Sequence, residues 1–112
     1  MLSRKYSLKG KKNFNRVLQS GRIFNTQFFR LRSLKNELSM VRFGIIISNK
    51  VSKSAVERNR LKRQVSEIFR LNLDKIKPGF DIVLTMSKNA LKKPYQVLER
   101  EILRAVETVG LM

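Results

Sequence analysis

Hydrophobic positions change their spacing several times along this chain, and each change marks an element. Within residues 11–20, Phe14, Val17 and Leu18 recur at helical spacing, and Gly21 follows where a left-handed C-cap would close a helix. The next stretch alternates. Over residues 28–34, Phe29, Leu31 and Ser33 fall on one side of a strand, and Phe28, Arg30, Arg32 and Leu34 fall on the other. Residues 22–25 add a short strand before it, and residues 35–39 read as a polar turn. β-branched and aromatic side chains dominate residues 41–48, a strand with Val41, Phe43, Ile45 and Ile47 on one face and Ile46 on the other. A connector over 49–53 leads into a long helix over about 54–73. Pro78 and Gly79 form a turn dipeptide, and residues 80–86 make a further strand, almost continuously apolar over 82–84. Pro94 suits the first turn of a last helix, which carries Leu98, Ile102, Ala105, Val106 and Val109 on one stripe.

The order helix–strands–helix–strand–helix predicts an α+β fold, with helices packed on one mixed central sheet. No repeat or linker divides it, so residues 1–112 make a single domain, residues 1–9 being an extended basic arm. Residues 41–48, the long helix and residues 80–86 form a βαβ crossover. General rules give such a unit a right-handed turn.

The long helix carries two separate faces. Leu61, Val65, Ile68 and Phe69 fall within an arc of roughly 100° and should be buried against the sheet. Asn59, Lys62, Arg63, Ser66 and Arg70 fall within a second arc well away from the first, flanked by Arg58 and Arg60. A merely solvated face would mix charge signs and pair Glu with Lys at i,i+4. Here Glu57 and Glu67 lie nearer the apolar side, which leaves the cationic stripe unneutralised. Such a stripe fits phosphates, Arg as a planar fork and Lys as a point charge, with Asn59 free to read a sugar or a base edge.

Composition sharpens this reading. Lys and Arg number 25 against 8 Asp and Glu, a net charge of +17 on a chain that is 42% hydrophobic. Solubility alone is served by a magnitude of about 2–8 in a small domain, so a polyanion is the natural partner. A basic helix could also lie on anionic lipid, but here the apolar stripe is needed for the core and Trp is absent. With no cysteine and no histidine, disulfides, thiolate zinc sites and the usual general base are excluded. The eight acids are scattered without metal-ligand spacing, and no Gly-x-x-x-x-Gly-Lys run occurs. No side chain is therefore expected to be catalytic or to hold a metal. No apolar run reaches the roughly 18 residues of a membrane span, and no secretory signal opens the chain, so a soluble cytoplasmic protein is expected. A ribosomal or general RNA-binding protein and a stand-alone ribonuclease remain as competing classes.

Lys53-Ser54-Ala55-Val56-Glu57-Arg58-Asn59-Arg60-Leu61-Lys62-Arg63, continued by Glu67-Ile68-Phe69-Arg70, resembles the signature helix of the bacterial ribonuclease P protein family. Leu8, Phe14, Val17 and Gly21 resemble that family's N-terminal helix, and Gly44-Ile45-Ile46-Ile47-Ser48-Asn49-Lys50 resembles the strand entering the signature helix. The resemblance covers about residues 5–109. It implies a small two-layer sandwich whose βαβ crossover is left-handed, against the general rule. It implies contact between the signature helix and a catalytic RNA subunit through Lys53, Arg58, Asn59, Arg60, Lys62, Arg63 and Arg70. A cleft holding the single-stranded 5′ leader of precursor tRNA would be lined by Phe14, Leu18, Phe28, Arg30, Arg32, Ser48 and Lys50. Cleavage would be performed by magnesium ions bound to RNA, the protein improving recognition and widening the range of RNA substrates. Three positions depart from the family pattern. Ser66 occupies a position that is Arg in many members, and Leu18 and Arg32 occupy cleft positions that are aromatic in some, which shifts weight from stacking to electrostatics.

Overall fold

In the computed structural model, which describes residues 2–112, helix α1 (Lys11–Ser20) runs directly into the hairpin of β1 (Arg22–Asn25) and β2 (Phe29–Lys35). Strand β3 (Arg42–Ile46), helix α2 (Ala55–Leu71), strand β4 (Phe80–Met86) and helix α3 (Tyr95–Thr108) complete the order, with short 3₁₀ turns between α2 and β4 and between β4 and α3. The sheet order is β1-β2-β4-β3, so β4 lies between β2 and β3. It runs antiparallel to β2, with Leu31 opposite Leu84, and parallel to β3, with Gly44 opposite Val83. The crossover through α2 is therefore the expected βαβ unit.

The two sheet faces bury different helices. Leu61, Val65, Ile68 and Phe69 of α2 pack with Leu98, Ile102, Ala105 and Val106 of α3 over Phe29, Leu31, Phe43, Ile82 and Leu84. This is the main sandwich, and it contains the predicted apolar stripe. On the opposite face α1 adds a partial cover, where Val17, Phe14 and Leu18 join Leu8, Val83, Leu34 and Ile46. Alternation along β2 and β4 supplies both layers, because successive side chains of a strand point to opposite sides.

Local chemistry fixes the ends of α2. The Ser54 hydroxyl accepts from the Glu57 N–H at 3.3 Å, satisfying one donor of the first turn. At the other end the Asn72 amide donates to the Ile68 carbonyl at 2.7 Å, and the helix stops at Leu71, two residues short of the expected end. Gly21 corrects another expectation. Its backbone is extended, at φ −73° and ψ 151°, not left-handed. Glycine is required there by crowding, since a Cβ would sit 2.6 Å from the Val17 carbonyl oxygen and 3.2 Å from that of Ser33.

The N-terminal arm is docked instead of extended. It forms a 3₁₀ turn at Arg4–Tyr6, buries Leu8, and donates from the Leu8 N–H to the Phe43 carbonyl at 2.8 Å on the outer edge of β3. Met1 lies outside the described residues.

One carboxylate ties the α1 side together. Asp81, wholly buried on β4, accepts two hydrogen bonds from Arg42 at 2.8 Å, one from the Asn36 amide at 2.9 Å and one from Arg16 of α1 at 3.0 Å. Burial pushes its pKa up, but the Arg42 and Asn36 hydrogen bonds, the Arg42 charge and the Arg16 hydrogen bond outweigh that and hold the carboxyl below its usual range.

Candidate nucleic-acid interface

With one side of α2 anchored in the core, geometry forces the other side outward. Asn59, Arg60, Lys62 and Arg63 are all exposed, and their side chains make no hydrogen bond or ion pair with other described residues. Two members of the expected stripe behave differently. Arg70 is engaged in a fork on Glu67, its Nε donating at 3.0 Å and its second nitrogen closing the pair, and Arg70 draws the Glu67 carboxyl down to about 2. Glu67 thus reaches across and neutralises the C-terminal end of the stripe, which was expected to stay unpaired. Ser66, placed on the same outward arc, is 5% exposed. It faces a cleft at the sheet edge because the docked arm closes over that part of the helix.

Before the helix the chain gathers further cations. Asn49, Lys50, Lys53 and Arg58 line an open hollow of about 470 Å³. Arg58 is held there by donating to the Ser52 carbonyl at 2.8 Å, and Ser48 orders the turn by accepting from the Lys50 N–H at 3.2 Å. Ser48 and Lys50, assigned above to the leader cleft, therefore lie at the entry to α2, and Lys50 shares one concavity with Lys53 and Arg58. Asn49 was not singled out from sequence, although its place between Ser48 and Lys50 was a signal for it.

The remaining cleft residues divide. Arg30 is exposed and Arg32 half-buried on the α1 side of β2, paired with Thr85 and Val83 of β4. Arg30 donates to Asn25 at 2.7 Å, and Arg32 donates to the Thr85 hydroxyl at 3.4 Å while its Nε is buried without a partner. Leu18 lies beside Leu34 and Val83 on this face, but Phe14 packs nearer β3, where a Cβ on Gly44 would lie 2.5 Å from its ring. Phe28 corrects the alternation argument. Strand β2 begins one residue later, and Phe28 is 7% exposed within the main core, with Lys93 at 5.8 Å from its ring centroid. Thr85 was missed, though alternation along β4 puts it beside Val83.

Exposed cations on a helix anchored from behind, a cationic hollow at its start and an arginine-bearing sheet face define a small α+β protein that binds a polyanion. The family model described as Ribonuclease P matches residues 2–110. A ribonuclease P protein component from Clostridioides difficile (strain 630) is 35% identical over 97% of this chain and 96% of its own length. One from Pseudanabaena is 38% identical over 88% of this chain and 85% of that protein. The solved structure of the RNase P protein from Thermotoga maritima superposes at a TM-score of 0.84 with 28% identity, covering 91% of this chain and 96% of that one. A mutant Staphylococcus aureus RNase P protein, at 22% identity over 97% and 92% of the two chains, shares the fold at a TM-score of 0.90. The chain belongs to the bacterial ribonuclease P protein family. Membership implies RNA binding and a part in tRNA processing, as a component of an endoribonuclease.

The stripe carries a direct prediction. Lys62→Ala and Arg63→Ala should each weaken RNA binding and lower the slope of log K against log salt by about one unit per lost phosphate contact. Affinity measured over a salt series checks this. Unchanged slopes in both variants would reduce the stripe to a solvated surface.

Proposed function

We propose that this chain is the protein subunit of the ribonuclease P ribonucleoprotein, which binds the catalytic RNA along α2 and the 5′ leader of precursor tRNA along the α1 side of the sheet. It thereby assists magnesium-dependent endonucleolytic removal of the leader to give the mature tRNA 5′ end, and it widens the range of small RNAs accepted. The observation that carries the reading is the row of exposed Asn59, Arg60, Lys62 and Arg63, unpaired with other described residues and held outward by the buried stripe behind them. The hollow of Lys50, Lys53 and Arg58 continues that track. For the leader, Arg32 offers a buried Nε with no protein partner, a donor whose desolvation a phosphate oxygen would offset. Arg30 beside it adds charge at the exposed end of the face.

Cleavage in this reading belongs to the RNA. Among the described residues no group of three or more acidic, His or Cys side chains stands close enough to hold a metal ion. Asp81 is wholly engaged by Arg16, Arg42 and Asn36, and Glu67 by Arg70. The carboxylates of the described residues are therefore dispersed or already paired, which does not fit a magnesium ion held by the protein. No helix among the described residues is long and apolar enough to cross a membrane, and a cytoplasmic complex with RNA suits the basic surface.

The experiment combines this chain with its catalytic RNA and compares precursor tRNA with and without a 5′ leader. The chain should tighten binding of the leader-bearing substrate about tenfold more than the leaderless one, as an added backbone and base contact would. Equal gains would remove the leader assignment. Cleavage of precursor tRNA by the chain and magnesium in the absence of the catalytic RNA would favour a protein ribonuclease instead.

A further inference from the structure

A cleft of about 330 Å³ opens at the outer edge of β3, between the docked arm and α2. That volume is at the lower end of the range for small-molecule sites, about 300–1,000 Å³, and suits one flat group. Its walls are apolar, from Leu8, Phe14 and Ile45, and Lys9 and Lys62 also line it. Among the described residues no carboxylate lines it. Ser7 and Ser66 are the neutral polar side chains within, and the Ser7 hydroxyl already donates to the Ser3 carbonyl at 3.3 Å. Ser66 is 5% exposed, and its hydroxyl makes no hydrogen bond with the described residues. The hydroxyl oxygen stays open to the cleft, where a ligand's polar edge can meet it.

The sheet edge supplies a second set of polar groups. The Phe43 carbonyl points away from β4 and accepts from Leu8. Two residues on, Ile45 turns its N–H and carbonyl to the same outer side. No backbone partner meets them there among the described residues, because the arm pairs with β3 only at Ser7 and Phe43. A donor and an acceptor on rigid backbone, a hydroxyl facing them and apolar walls together match the edge and faces of a nucleobase. Phosphates on either side of such a base would meet Lys9 and Lys62.

The geometry points to this cleft as a pocket for a single unstacked nucleobase of the RNA that runs along α2, read by Ser66 and the open edge of Ile45. The inference rests on the RNA-binding reading above, since Lys62 belongs both to the exposed stripe and to the mouth of the cleft. A phosphate held at Lys62 brings its own base to the opening. Phosphate contacts elsewhere on α2 would then set affinity and register, and this pocket would add a contact that depends on the base.

Two measurements test it. In the first, affinity for the catalytic RNA is followed over a salt series for the parent chain, Ser66→Leu and Lys62→Ala, with folding of each checked by thermal melting. Ser66→Leu fills the pocket and should bind about tenfold more weakly, the worth of one stacked base, at an unchanged salt slope. Lys62→Ala should flatten the slope. Parent-like affinity of folded Ser66→Leu overturns the pocket while leaving the stripe intact, whereas a parent chain whose affinity does not change with salt would overturn the RNA-binding reading itself. In the second, the parent chain is titrated with each of the four nucleoside monophosphates and with inorganic phosphate, observing backbone amide resonances. Saturating shifts at Ile45 and Ser66 with a nucleotide, absent with phosphate, support the pocket even if the leucine variant does not fold. No shift, or the same shift with phosphate alone, overturns it.

Discussion

Phe69→Ala should unfold with about 3–5 kcal/mol less stability than the parent chain. Phe69 is fully buried at the centre of the main core and stacks on Phe43 of β3, with ring centroids 3.9 Å apart and planes 16° from parallel. Truncation removes the apolar area of a whole ring and its aromatic contact, and it opens a cavity between α2 and β3 that backbone on both sides prevents from closing. A domain of this size has only about 5–15 kcal/mol to lose, so the variant should be partly unfolded at physiological temperature. Urea unfolding checks the loss through a lower midpoint at the same slope. RNA binding distinguishes this change from one in the stripe. Because RNA binds the folded chain, saturating RNA should restore much of the lost folding by mass action, and the salt slope should match that of the parent. An unfolding free energy within about 1 kcal/mol of the parent would contradict the packing described.

Asp81→Asn should lower stability by about 3 kcal/mol, the lower end for breaking a buried ion pair, because the Arg42 side chain keeps 19% exposure and can recover some hydration. The substitution is nearly isosteric, so the loss reports charge and hydrogen bonding instead of a cavity. Its pH dependence has a definite sign. The native Asp81 carboxyl titrates below its unfolded value, so its contribution is complete above an unfolded pKa of about 3.9 and is lost as pH falls through the lower native value. The parent should therefore lose stability progressively in acid below about pH 4, and the variant should lose less over the same interval. Thermal melts of both chains at pH 7 and through the acid range measure the difference. Parallel curves would show that Asp81 is not the titrating group.

The elements whose hydrophobic spacing is strict were legible from sequence. Phe14, Val17 and Leu18 located α1, and the near-continuous apolar run of β4 located the central strand. The stripe of Leu61, Val65, Ile68 and Phe69 correctly turned Asn59, Lys62 and Arg63 to the surface, since a helix with one face buried has little freedom in where it sends the other. What failed depended on contacts between distant segments. A helical wheel cannot show that the arm folds back over Ser66, or that Glu67 bends toward Arg70. Alternation put Phe28 with Arg30, but the strand starts only at Phe29, and residues outside a strand do not obey its period. The cluster around Asp81 joins residues 65, 45 and 39 positions away, and no local pattern announces such a meeting.

The order of strands in the sheet has a consequence for synthesis. The strand at the centre is the last to be made, because β4 separates β2 from β3, both of which leave the ribosome first. Until residues 80–86 have emerged, the β1–β2 hairpin and β3 have no neighbour to share, and Arg16, Asn36 and Arg42 lack the acceptor that will gather them. A nascent chain can hold only local helix and hairpin before that point, with its cations already open to cellular polyanions, and the sheet closes late in translation, when a single segment slots between its two flanks.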